Sequence, residues 1–198
     1  MQSNTHPVLV IVGAWNQLIF SKDWVKEFLF PEVDIIVENP VVPNTTIAFG
    51  TEDYRILIQE NRLTFFALQE TPEVYADIEK RAVQILKLLN HTPLSAFGIN
   101  FVFHLNYTEA LLHIKPVEDQ IFFKGQGYYE DVVVLHRTFI KDNYQLTVTF
   151  NFSTNDVKVD VNFNFQINSS NLFLELFKDG LLQEKKTEIM QLIKMRYD

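Results

Sequence analysis

Cysteine is missing from all 198 residues. Disulfides, thiolate-bound zinc, iron–sulfur clusters and thiol nucleophiles are excluded by that absence, and a chain without cysteine suits a reducing compartment. Long apolar runs are missing as well. Near the N-terminus only Val8 to Val12 follow one another, with no basic segment ahead and no small-residue cleavage signature, so no export signal is expected. Nowhere do about 18 apolar residues occur in sequence, which argues against a membrane-spanning helix. A cytoplasmic protein without a membrane partner is the expectation.

Cationic charge is in short supply: 17 Lys and Arg stand against 25 Asp and Glu, for a formal net charge of −8. The resulting field repels polyanions, so nucleic acid is a disfavoured partner. Catalytic signatures are absent too. The sequence holds no GxSxG, HxH or HExxH, and Gly125-Gln126-Gly127 lacks the lysine and the strand-to-helix setting of a phosphate loop. Of the five histidines, His6 falls in an expected N-terminal tail and His91 at a helix end. His104, His113 and His136 are the one set that could converge. No catalytic residue, metal or cofactor is therefore assigned, and an enzyme reading survives only around His104 and His136, which must share a cleft to act together.

What the chain has in plenty is phenylalanine, 18 residues in a sequence that is 47% hydrophobic and 21% charged. Side chains of that bulk fill the space between a sheet and its covering helices. Apolar alternation predicts strands over 7–14, 33–37, 46–50, 54–59 and 62–68. The last two join at Glu60-Asn61, where asparagine tolerates the left-handed backbone of a tight turn. Ser21 caps a short helix to about Phe30. Thr71 and Pro72 open a long one that carries Val74, Ile78, Ala82, Ile85 and Leu89 on one face. From Ser95 the pattern resumes with a strand, a short helix over 107–113, and strands over 121–123, 131–140, 144–152 and 157–167. A final helix, capped by Ser169 or Ser170 and reaching about Met195, presents Leu172, Phe173, Leu176, Phe177, Leu181, Ile189, Leu192 and Ile193 inward. Gly180 marks a kink or a break within it.

Strand, short helix, several strands, long helix: that order occurs twice. The expected fold class is α+β, a curved antiparallel sheet covered on one face by two long helices. Residues 1–94 and 95–198 would be the halves of an internal duplication, sharing one continuous sheet in a single compact domain. The alternative is one α+β domain whose order happens to repeat. Arranged as a duplication, the elements resemble in topology the TATA-box-binding-protein-like fold. That resemblance implies helices on the convex face and an open face opposite, and it brings no functional residue with it.

Parity then assigns the faces. In VKVDVNFNFQI, residues 157 to 167, Phe163 and Phe165 point under the helices while Asn162, Asn164 and Gln166 point outward. Thr147, Thr149 and Asn151 share that outward side, joined by Asn100 and His104. Such a face is either simply wetted or a shallow platform for a protein partner. In the first half, outward parity leaves Leu57, Phe66 and Leu68 in need of cover. A homodimer through that patch is the preferred reading, and burial beneath the N-terminal segment 8–24 is the other. The expected function is thus a non-enzymatic protein-interaction module, self-associating. A small apolar ligand held between sheet and helices is the alternative.

Overall fold

Strict alternation in four long segments closes them into one antiparallel sheet, because every residue pair two apart buries the same face. The computed structural model describes residues 6–31, 33–38, 47–106, 125–126, 133–152 and 156–197. Nine strands are present among them: β1 (Pro7–Gly13), β2 (Ile36–Glu38), β3 (Ile47–Gly50), β4 (Tyr54–Gln59), β5 (Arg62–Ala67), β6 (Leu94–Asn106), β7 (Val133–Lys141), β8 (Tyr144–Phe152) and β9 (Asp156–Gln166). They form a single sheet in the order β2-β3-β4-β5-β1-β6-β9-β8-β7. All eight neighbouring pairs are antiparallel.

Among the described residues four helices pack on one face: α1 (Lys22–Phe28), α2 (Pro72–Leu88), α3 (Ser170–Leu176) and α4 (Leu181–Tyr197). The two long helices expected are α2 and α4, 17 residues each, and the seven-residue α1 and α3 add to the cover. The C-terminal helix breaks at Gly180, which sits at φ +83°, and resumes as α4. The break shifts the helical register beyond it. Leu182 becomes fully buried, whereas Leu192, expected inward, lies on the surface. Ser169 is the residue that caps α3, accepting from the Leu172 amide.

Phenylalanine does what its bulk predicts. Phe97 and Phe165, paired across β6 and β9, stack at 4.4 Å between ring centres, and Phe173 and Phe177 of the C-terminal segment pack edge-on against Phe97. Val157, Val159, Val161 and Phe163 complete this floor, all buried. The same apolar cluster runs on without a gap beneath α2, where Val74, Ile78, Ala82 and Ile85 meet Ile56, Leu63 and Phe65.

Segment 15–30 packs on this helical side. Arg81 of α2 donates to the Leu29 carbonyl, and its guanidinium lies 4.8 Å over the Phe30 ring. Gln84 donates to the Phe28 carbonyl. The turn between β4 and β5 is held from this segment too: the Gly13 and Trp15 amides donate to the Asn61 and Glu60 carbonyls. Asn61 does not take the left-handed backbone expected of it; Asp142, between β7 and β8, does, at φ +51°. The strand expected at 33–37 sits slightly later, as β2. The helix expected at 107–113 and the strand at 121–123 lie outside the described residues.

Candidate functional site on the open sheet face

The face turned away from the helices is built in rows across β6, β9, β8 and β7. Asn100, Asn162, Thr147 and Thr138 stand side by side in one row, and Val102, Asp160, Thr149 and His136 in the next. A third row runs His104, Lys158, Asn151 and Val134. Adjacent members of a row lie within side-chain reach, so polar groups placed there pair with one another.

They do so along a chain. Asn162 donates from Nδ2 to Asn100 Oδ1 at 2.7 Å, and Asn151 donates from Nδ2 to Asp160 Oδ2 at 2.8 Å. Lys158 Nζ meets the other Asp160 oxygen at 2.8 Å. On the outer strands His136 Nδ1 lies 3.0 Å from the Thr149 hydroxyl, and the Thr138 hydroxyl lies 3.4 Å from His136 Nε2 and 3.5 Å from the Thr147 hydroxyl. Gly98 makes room for the first of these contacts: a Cβ there would stand 2.9 Å from Asn162 Nδ2. A side chain there would push the Asn162 amide aside from its place across β6.

Of the eight sheet-face candidates, the fold brings Asn100, Thr147, Thr149 and Asn162 to one shallow depression of about 190 Å³, where Asp160 and His6 join them. Asn151 borders it through Asp160. His104 is exposed at the far end of β6, and Asn164 and Gln166 lie further along β9, with no side-chain hydrogen bond among the described residues. The depression offers neutral donors and acceptors around one carboxylate whose two oxygens are already engaged. Its Thr149 hydroxyl lies beside the His136 imidazole, whose other nitrogen faces the Thr138 hydroxyl, so among the described residues no carboxylate orients that ring as a general base. Among the described residues no three His, Asp or Glu side chains gather as metal ligands.

His104 and His136 lie on β6 and β7, with β9 and β8 between them. Three strand spacings and a two-residue offset separate them by more than about 14 Å, beyond hydrogen-bond or single-water reach. They do not form an acid–base pair. His113 falls outside the described residues.

Leu57 and Phe66 are on the open face as parity requires, with Phe66 beside Arg55 and Leu57 beside Thr64, and Leu68 follows just past the end of β5. Leu57 and Phe66 are half-buried and Leu68 is exposed. The contacts of residues 28–30 with α2 lie on the opposite side of the sheet.

Several charged groups were not legible in sequence. His6 is no free tail residue: its Nε2 lies 3.4 Å from Glu70, which also pairs with Lys186 at 2.7 Å and accepts from the Tyr75 hydroxyl. Glu79, buried on α2, accepts from the Gly180 and Leu182 amides at 2.7 Å each and so caps α4 from another helix. Burial pushes its carboxyl above the usual range, against the pull of those two amides. Glu188 accepts from Lys141, Tyr144 and Lys185. Burial alone would raise it, yet those three donors bring it down to about 2. No periodicity signals such contacts, since each joins residues that the fold, not the local sequence, makes neighbours.

No protein-family model matches this chain, and no curated protein and no solved structure is significantly similar to it. The functional reading therefore rests on the geometry of its own residues.

Proposed function

We propose that the protein is a non-enzymatic interaction module that works in the cytoplasm, binds through the open face of its sheet, and takes a second copy of itself as its first partner. The observation that carries this reading is the charge of that face. Among its described side chains stand Arg55, Arg62 and Lys158 and one carboxylate, Asp160, in a chain of net charge −8. Two copies of an acidic molecule associate at least cost where the fewest carboxylates face one another. The open face is such a place, and its corner at Leu57, Phe66 and Leu68 supplies the apolar area that an isologous contact buries. The amide and hydroxyl rows would then remain at the other end of the sheet for a further protein.

The strand order supports an internal duplication with the TATA-box-binding-protein-like arrangement. β1 and β6 lie side by side at the centre, and each is followed outward by later strands of its own half in descending order. The lack of cysteine supports the cytoplasm. The separation of more than about 14 Å between His104 and His136, estimated from strand spacing, weighs against an enzyme.

The test is the mass in solution by light scattering at micromolar and tenfold lower concentration. A dimer is expected, converted to monomer by Phe66→Asp and by Leu68→Asp, the latter at an exposed position that leaves folding intact. A monomeric wild-type protein, or a dimer indifferent to both variants, overturns the reading.

A further inference from the structure

On the helical side, α4 and the strands β7 and β8 stand apart and leave an open trough of about 360 Å³. Leu146, Val148 and Phe150 floor it, and Ile189 and Ile193 wall it. At its rim Phe139 is 50% exposed and Leu192 41%, and neighbouring Met195 is 76% exposed. Exposed apolar side chains gathered along one groove mark a place where something binds. A second void of about 270 Å³ continues the trough along Leu146 and Leu192 toward Tyr144 and Glu188.

The two ends differ in charge. At the Tyr144 end, Lys141 pairs with Glu188 and Lys185 with both Glu188 and Glu184, so two carboxylates balance two ammonium groups. At the other end Arg137 of β7 and Arg196 of α4 line the trough, and Arg137 meets no carboxylate among the described residues. An apolar channel of several hundred Å³ with a guanidinium at one end matches a molecule with an apolar tail and an anionic head. We propose that this trough binds a free long-chain carboxylate, its chain along Leu146 and Val148 and its head at Arg137. This site is on the opposite side of the sheet from the proposed dimer face, and neither reading depends on the other.

The test uses the full chain and isothermal titration with octanoate, decanoate and dodecanoate below their micellar concentrations, with dodecanol as the uncharged control. Affinity is expected to rise about threefold to fourfold for each added methylene until the trough is filled. Arg137→Gln, at an exposed strand position, is expected to weaken dodecanoate about tenfold or more while leaving dodecanol unchanged. Leu192→Trp, which places a large ring at the rim, is expected to weaken both. Absence of dodecanoate binding at millimolar concentration overturns the proposal. So does equal binding of acid and alcohol by wild-type protein, or binding to vesicles of an anionic phospholipid without binding of the free acid, which would make the trough a membrane contact. Binding of an acidic amphipathic peptide in preference to every carboxylate would overturn it in favour of a protein partner.

Discussion

At the scale of single residues the molecule depends on a few carboxylates placed against buried or half-buried donors. Glu188 is the strongest case. Lys185, only 6% exposed, sits 4.5 Å over the Tyr144 ring and reaches Glu188 at 2.8 Å, while Lys141 and the Tyr144 hydroxyl share its other oxygen. A carboxyl held near 2 in the folded chain and near its ordinary 4.5 in the unfolded one binds fewer protons when folded. Its contribution is complete above the unfolded value and is lost as pH falls toward 2. Glu188→Gln should cost about 1–3 kcal/mol at neutral pH, because buried Lys185 keeps only the exposed Glu184, 3.3 Å away, as its anion and Lys141 and Tyr144 lose theirs. Urea denaturation at pH 7 and pH 3 checks this: the gap between variant and wild type should narrow in acid. An unchanged gap would mean that Glu188 acts by packing instead of charge. Glu79 runs the other way. Its folded carboxyl is raised by burial, so its contribution is present in acid and is lost as pH rises through the folded value.

At the scale of elements, the local code was legible wherever one face was buried along the whole length. Thr71 and Pro72 open α2 because one side chain satisfies the Val74 amide and the other lacks an amide to satisfy. β8 and β9 follow from period-two alternation that no helix can reproduce. The C-terminal helix was harder. Its apolar residues fit one continuous stripe, and only Gly180 hinted at the break that moves Leu182 in and Leu192 out. Gly180 takes a positive φ, and no atom lies within 4 Å of where a Cβ would stand. Gly180→Ala should therefore cost about 1–2 kcal/mol through backbone conformation alone, with no steric component. Chemical denaturation reads that cost. A stabilised variant would show that the helix prefers to run straight through. The open-face rows were legible strand by strand, since parity is local. Which strands stand together was not, because the order β6-β9-β8-β7 is set by pairings distant in sequence, such as Asn100 with Asn162, 62 residues apart. For the same reason His104 and His136 looked like possible neighbours and are not.

At the scale of the whole molecule, net charge and its placement decide between two ways in which copies of this chain could meet. A contact through the open face brings together surfaces with few carboxylates, while the remaining charge, −8 per copy, still repels from the flanks. Salt screens that long-range repulsion over about 8–10 Å at ordinary ionic strength and leaves apolar burial at Leu57, Phe66 and Leu68 intact. Dimerisation through this face should therefore tighten modestly as sodium chloride rises from low concentration to about half molar, beyond which repulsion is almost fully screened. The opposite arrangement would seat the Arg137 and Arg196 end of one copy against the acidic surface of another. Such a head-to-tail contact draws on attraction between unlike charges, so the same salt series would dissolve it, and it would lead to open-ended assembly because nothing closes the ring. Light scattering across the series distinguishes the two. A dimer of constant stoichiometry that strengthens with salt fits the open face, and a species that grows at low salt and falls apart at high salt removes it.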